Sequence, residues 1–237
     1  MDLNDASHVI KDVGVSNISA VVLDNTGNTH KAHELLCQDH EHILNLQDAC
    51  HEMNLAVGQI SELPEFKEVI ADIRAIIAFL NKSTYVREHL YDARKVHKIT
   101  HGLTSIGETH FSSLTWAAFS LHQCLPALRT IIGNPDLAIR IDALLDLSKF
   151  IAVTIPYARA IKCLESTHTP TDVYLFWLAV ISQLDSLFAN DGSRLLVQTT
   201  EAIHTITNCR FNGIINNAPT DIYVVAFFLD PCQGLGI

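Results

Sequence analysis

Asp24 has the sequence surroundings of a metal-binding carboxylate, because it directly follows the apolar run ISAVVL at residues 18 to 23. A carboxylate at the end of a strand can meet carboxylates from other strands, and two-metal phosphoryl transfer needs several such oxygens around Mg²⁺ or Mn²⁺. Asp24 is followed by Asn25, however, and both residue types commonly cap helices or turns by accepting hydrogen bonds from backbone N–H groups. Spacing alone leaves both interpretations open, and the capping role is the commoner one.

A second group of side chains that bind metals lies within fifteen positions: Cys37, His40, His42, Cys50 and His51. It includes one Cys-x-x-His, but its second pair consists of two adjacent residues, whose side chains point in different directions on a helix. The alternative is a polar loop followed by a helix that buries Cys50, Met53, Asn54 and Val57. The sequence favours that helix, and we expect no zinc site.

Motifs of other catalytic classes do not occur in the sequence. It contains no Gly-x-Ser-x-Gly nucleophile elbow, no Walker loop and no dinucleotide-binding fingerprint. The aromatic pairs Phe176-Trp177 and Phe227-Phe228 lie in apolar runs, which predicts packing in the core rather than stacking on nucleic-acid bases.

The secondary structure predicted around these residues is mainly helical. ISAVVL predicts a strand covered on both faces, and residues 27–37 predict the helix that follows it, which together form half of a βα unit. The partner strand is not identifiable. From Leu46 onward the apolar period is helical almost without interruption, apart from a glycine-containing stretch with a short strand predicted at residues 103–106.

The helices are predicted from apolar residues at helical spacing and from the prolines and glycines that end or bend a helix. The clearest follows Pro64 and places apolar residues on one face: Phe66, Val69, Ile70, Ile73, Ile76, Ile77 and Leu80. A polar helix is predicted at 84–98, then one with a seam from Leu114 to Leu128 and a bend at Pro126. Further helices are predicted at 135–148, 149–164, 172–189 and 194–209, with a kink at Pro156. The segment DIYVVAFFLDP is a short buried helix or a strand, and its period does not decide which.

Composition limits the partners and the location of the chain. The formal charge of -10 and the lack of an evident basic stripe argue against autonomous DNA binding. The acidic N-terminus lacks the pattern of a signal peptide, and the longest apolar runs fall short of the ~18 residues that a membrane helix needs. We therefore expect an intracellular protein without a membrane segment, whose six dispersed cysteines are reduced thiols.

Several strings taken in order resemble hAT-superfamily transposases of the fungal, ribonuclease H-like branch. They are VVLDNTGNTHKAHELL, LQDACHEMNLAV, LPEFKEVIADIRAIIAFLNKST, GETHFSSLTW and FFLDP, and the resemblance covers nearly the whole chain. It implies a mainly α fold, in which an all-helical insertion-type domain is attached to a remnant of a ribonuclease H-like α/β sheet. The implied domains are a partial βα remnant at 1–60, the helical region at 61–218, and a truncated return toward the catalytic core at 219–237.

The resemblance also implies roles for individual residues. Family members cut and join DNA in the nucleus with two divalent metal ions, Mg²⁺ or Mn²⁺, held by three carboxylates, and Asp24 matches the second of these. Phe111 matches an aromatic residue that lies near the DNA, and the adjacent His110 stands where arginine is common in the family. His51 matches the histidine of the family's Cys-x-x-His motif, but Asp48 stands in place of its cysteine.

The departures from the family pattern predict a loss of catalysis. Only 23 residues precede Asp24 and the sequence ends seven residues after Asp230, so we expect the first and third carboxylates to be missing. We therefore expect an inactive transposase fragment with no productively bound Mg²⁺ or Mn²⁺. The alternatives are a retained interaction module that binds a protein partner or a second copy of itself, and a nuclease completed in trans.

Overall fold

A pair of parallel strands opens the fold. The computed structural model describes residues 12–23, 35–107, 110–131, 147–166, 168–189, 194–218 and 220–231. Strand β1 (Ala20–Leu23) pairs in parallel with β2 (Leu44–Gln47), in a register that sets Ala20 opposite Leu44 and Leu23 opposite Gln47. Parallel neighbours need a crossover connection, and residues 35–39, which belong to this connection, are helical.

The strand predicted at residues 18–23 is confirmed as β1, but it is not covered on both faces, because Val22 is 46% exposed. The partner strand β2 escaped the sequence analysis because its four residues, Leu-Asn-Leu-Gln, alternate too briefly to establish a period. Leu46 is buried and anchors β2 on the core.

Helices make up most of the described chain. They are α1 (Ala49–Ser61), α2 (Pro64–Lys82), α3 (Thr84–Val96), α4 (Phe111–Ile131), α5 (Leu147–Leu164), α6 (Pro170–Ala189), α7 (Val197–Phe211) and α8 (Ile222–Leu229), with a π-helical turn at Asn212–Asn216. The structure is therefore mainly α with a small parallel sheet, as the sequence predicted.

Most helix predictions that fall on described residues are confirmed. Pro64 occupies the first turn of α2, where its missing N–H costs nothing, and the seven predicted apolar residues of that helix are all buried. Helices α4 and α5 continue through Pro126 and Pro156. The closing segment forms the helix α8. The helix predicted at 135–148 lies almost entirely outside the described residues.

The strand predicted at residues 103–106 is wrong. These residues are not part of a strand, and the Thr104 backbone N–H donates to the side-chain oxygen of Ser120 on α4, 2.9 Å away. This contact holds the segment on α4 without a strand neighbour.

Helix α5 forms the centre of the helical packing and contacts α1, α4 and α6. Its Phe150 meets Phe66 of α2 with 5.6 Å between ring centroids, and its Tyr157 lies 6.3 Å from Trp177 of α6. Trp177 is fully buried, which confirms its predicted place in the core. The same prediction is wrong for Phe228, which is 68% exposed because α8 buries only Tyr223 in the core.

By length and composition alone, α6 could cross a membrane, since an 18-residue window within it has a mean hydropathy of 1.3. The uninterrupted apolar run in this helix is shorter, which is why the sequence analysis did not single it out. In the structure α6 packs on α5 and α8, and Val173, Trp177, Val180 and Leu184 are buried.

Candidate functional site

Asp24, the predicted metal ligand, lies outside the described residues. Its metal-binding role and its capping role therefore both stay predictions. The carboxyl edge of the strand pair is nevertheless described on the side of β2, which ends at Gln47 and leads directly into Asp48.

Asp48 is the N-cap of α1. Its Oδ1 accepts hydrogen bonds from the backbone N–H of Cys50 at 2.8 Å and of His51 at 3.2 Å, and its backbone oxygen accepts the first helical bond, from Glu52. These bonds satisfy backbone donors that a helix N-terminus otherwise leaves without partners. Asp48 thus caps the helix that follows the second strand, whereas the cap at Asp24 concerns the helix after the first strand and stays a prediction.

Two groups near Asp48, the Cys50 thiol and the Tyr223 phenol, are neutral at physiological pH. Burial raises the pKa of the Cys50 thiol to about 11, and the negative charges of Asp48 and Glu165 add to the effect. Burial likewise raises the pKa of the Tyr223 phenol on α8 to about 12, again with a contribution from Asp48. Both groups keep their protons at pH 7, so neither adds negative charge for a cation at this edge.

The described residues at this edge do not fit a Mg²⁺ or Mn²⁺ centre. Such a centre needs several oxygen ligands that converge on one point, whereas here one carboxylate caps a helix beside a neutral thiol and a neutral phenol. Within the described ranges, no group of three or more His, Cys, Asp or Glu side chains could hold a metal ion.

The cysteines and histidines considered for zinc are all described, and they do not form a metal-binding group. His42 is 3.1 Å from the backbone oxygen of Val15, in the turn before β1, and its ring centroid is 6.2 Å from that of His40. Cys50 instead points its Sγ toward the backbone oxygen of Ile161 on α5, at 3.9 Å. The predicted alternative is confirmed, since α1 buries Met53, Asn54 and Val57 and half-buries Cys50.

Phe111 lies at the start of α4, with its ring against the backbone of α1. A Cβ atom added at Gly58 would lie 2.8 Å from both Cδ2 and Cε2 of Phe111, so only glycine leaves room for the ring. The nearby Asn54 accepts a hydrogen bond from the backbone N–H of Ser112 at 3.0 Å. Asn54 and Gly58, four residues apart on one face of α1, therefore fix where α4 begins.

His110 contributes its backbone to this corner. Its carbonyl oxygen accepts hydrogen bonds from the Ser113 backbone N–H at 3.0 Å and from the Ser113 hydroxyl at 2.6 Å, while its side chain is exposed. The Ser113 hydroxyl oxygen also accepts from the Gly107 N–H at 2.9 Å. Phe111 itself is 40% exposed, so one side of the ring faces solvent. Phe111 and His110 were predicted from the sequence as site residues, but Gly58 was not, because its only signal was a glycine inside a helix.

Asp48 and Phe111 contact α1 at two separate places. Asp48 precedes the helix and Gly58 lies ten positions further along the chain, a separation of about 15 Å along the helix axis at 1.5 Å per residue. The described structure therefore does not bring the aromatic corner to the carboxyl edge of the strands.

One comparison with known protein families gives a match. A family described as "Domain of unknown function (DUF659)" matches residues 3–76, which include β1, β2, α1 and the first part of α2. This domain is found in proteins related to hAT-like transposases. No curated protein and no solved structure matches the chain significantly. The match covers less than a third of the chain and does not reach Phe111, so the chain is similar to a transposase-related domain over its strand pair and first helices.

Proposed function

We propose that the chain is a domain derived from a hAT-type transposase, which does not cut DNA by itself. Two observations support its descent: the matched family and the parallel β1–β2 pair, which is the arrangement expected for a remnant of a ribonuclease H-like sheet. In this proposal the helical region is the part of the ancestral protein that remains folded and carries the present role.

The single observation that carries the proposed loss of cleavage is the chemistry around Asp48. Its Oδ1 accepts hydrogen bonds from two backbone N–H groups, and the nearby Cys50 and Tyr223 stay protonated at neutral pH. A cation at this edge would gain one carboxylate from the described residues, whose Oδ1 already accepts two hydrogen bonds, and Mg²⁺ keeps most of its water shell unless several oxygens converge.

A plasmid-nicking assay tests this proposal. The purified chain is incubated with supercoiled plasmid and Mn²⁺, beside the variants Asp24→Ala and Asp48→Asn. We expect all three proteins to leave the plasmid as supercoiled as Mn²⁺ alone does. Nicking by the wild type that requires Mn²⁺ and disappears in Asp24→Ala would show an active metal centre and refute the proposal.

A metal-binding measurement provides an independent readout. Free aqueous Mn²⁺ gives a strong electron paramagnetic resonance signal that weakens when the ion binds to protein. We expect titration with the wild-type chain to reduce the signal no more than titration with Asp24→Ala does. A clear difference between the two proteins would indicate that Asp24 binds the cation even where no cleavage follows.

A further inference from the structure

Positive charge is concentrated in one segment of this acidic chain. Residues 82–101 contain five Lys or Arg and two Asp or Glu, a formal charge of +3, whereas the rest of the chain contains eleven and twenty-four, a formal charge of -13. This segment consists mainly of α3, together with the end of α2 and the turn that follows α3. The net charge of the whole chain therefore conceals a local positive surface.

Three outward-facing residues of α3 combine charge with an aromatic ring. Arg87, Tyr91 and Lys95 are spaced four residues apart, so they form a row along one face of the helix, which we call the α3 ridge. All three are exposed, and Tyr91 is 60% exposed. The Lys95 Nζ lies 4.0 Å from the centroid of the Tyr91 ring, so a cation and an aromatic face are presented together.

The packing of α3 leaves this ridge outside the core. The helix buries Val86 and Leu90, which face α2 and α4. Arg94 has a structural role, because its guanidinium donates to the Thr100 backbone oxygen at 2.6 Å and holds the turn after α3. A second aromatic residue, Tyr85, is 57% exposed and stacks edge-on with His89 at 4.3 Å between ring centroids.

The acidic residues of α3 do not neutralise the ridge. Asp92 lies 3.8 Å from the Lys95 Nζ, but both side chains are mostly exposed, at 79% and 62%. An exposed pair of this kind contributes little to stability and exchanges readily for another anion. Glu88 is the other carboxylate on this helix, so the segment stays positive overall.

We infer that the α3 ridge binds single-stranded nucleic acid. Arg87 and Lys95 contact backbone phosphates, and Tyr91 stacks on an unpaired base, the combination that sequence-tolerant single-strand binding uses. A duplex fits less well, because its bases are already stacked and its denser phosphate charge is repelled by the acidic remainder of the chain. This inference goes beyond the proposed function, which assigns no ligand to α3.

Fluorescence anisotropy with a labelled 20-nucleotide dT strand tests the inference on the full chain. At low salt we expect a Kd of about 10 µM, within the range of non-specific binding. Two phosphate contacts predict a slope of about -1.4 for log Kobs against log salt concentration, at ~0.7 per phosphate for single strands. Replacing both cations (Arg87→Ala with Lys95→Ala) should abolish most of the binding.

Matched variants test whether binding depends on the Tyr91 ring and on the cations of the α3 ridge, or only on any exposed cation of the chain. Tyr91→Ala should weaken binding at least fivefold, or roughly 1 kcal/mol of lost base stacking, while Tyr91→Phe keeps the ring and should stay within twofold of the wild type. Arg159→Ala removes an exposed cation from α5 and should leave binding unchanged. Helical circular dichroism verifies that each variant is folded, as expected for exposed positions.

Several results would overturn the inference. They are the absence of any dT binding, equal affinity for a duplex of the same length, equal affinity of Tyr91→Ala and the wild type, and displacement of dT by an equimolar glutamate-rich peptide. The last would identify an acidic protein segment as the partner. None of these results depends on DNA cleavage, so they are distinguishable from failure of the proposed function in the nicking assay.

Discussion

At the scale of single residues, Gly58 determines whether the aromatic corner forms. The Phe111 ring occupies the space that any side chain at this position would need. Gly58→Ala gains about 1 kcal/mol of helix propensity, but overpacking against the ring costs about 2 kcal/mol. We expect a net loss of about 1 kcal/mol in the free energy of unfolding, measured by urea denaturation.

The double variant gives this prediction a sharp control. In a Phe111→Ala background the obstruction is gone, so Gly58→Ala should become stabilising by about 1 kcal/mol. Gly213→Ala serves as a second control, since an added Cβ there meets nothing within 4 Å and should not destabilise the chain. If Gly58→Ala had the same effect with and without the Phe111 ring, the two residues would not be coupled.

At the scale of elements, α1 joins the strand pair to the helices, and one ion pair connects it to α7. The Arg210 Nη1 donates to Glu52 Oε2 at 2.9 Å and its Nε donates to Gln59 Oε1 at 3.1 Å. The Glu52 side chain is only 9% exposed. A carboxylate that is buried to this extent is costly without its partner, since it loses both hydration and charge compensation.

Removing the arginine should therefore destabilise the packing of α7 on α1. We expect Arg210→Ala to lower the free energy of unfolding by about 2 kcal/mol, and the added change Glu52→Gln to restore part of this loss by removing the uncompensated charge. Thermal unfolding followed by circular dichroism measures both variants. Lys162→Ala breaks an exposed pair with Glu165, whose side chains are 72% and 52% exposed, and should leave the melting temperature nearly unchanged. Equal melting temperatures for Arg210→Ala and Lys162→Ala would contradict the prediction.

At the scale of the whole molecule, thiol and phenol groups that are protonated in the folded chain make its stability decrease at alkaline pH. Burial raises the pKa of Cys50 from 9.0 to about 11 and that of Tyr223 from 10.0 to about 12. The unfolded chain therefore loses these protons before the folded chain does, so the stabilisation is complete below pH ~9 and is lost as the pH rises. We expect the free energy of unfolding, measured under reducing conditions, to fall between about pH 9 and 12.

Two variants measure the contributions of Cys50 and Tyr223, to which Tyr157, Cys37 and Cys124 add, since burial raises their pKa values as well. Cys50→Ala should make the curve less steep between pH 9 and 11, and Tyr223→Phe between pH 10 and 12. Asp48→Asn should lower both folded-state pKa values by removing a nearby negative charge, so the fall should be smaller and end at a lower pH. Parallel curves for the wild type and Cys50→Ala would show that the thiol does not titrate in this range.

The helices could be predicted from the sequence, because a helix is a local structure whose apolar period is visible within one segment. The seven apolar residues of α2, the buried Met53 and Val57 of α1, and the buried Trp177 of α6 were all predicted in this way. Net charge and the absence of the common catalytic motifs were equally visible in the sequence.

Which segments meet became clear only in the folded chain. Strand β2 exists because it pairs with β1 across a connection of twenty residues, and four residues hold too little pattern to reveal it. Phe228 is exposed because the core contacts α8 on another face, and Gly58 matters because the Phe111 ring lies on it. The α3 ridge likewise could not be predicted from net charge, because the charge summed along the chain is negative while the charge on this helical face is positive. Local periodicity fixes the elements, whereas contacts between distant segments depend on the shape and burial that only the folded chain has.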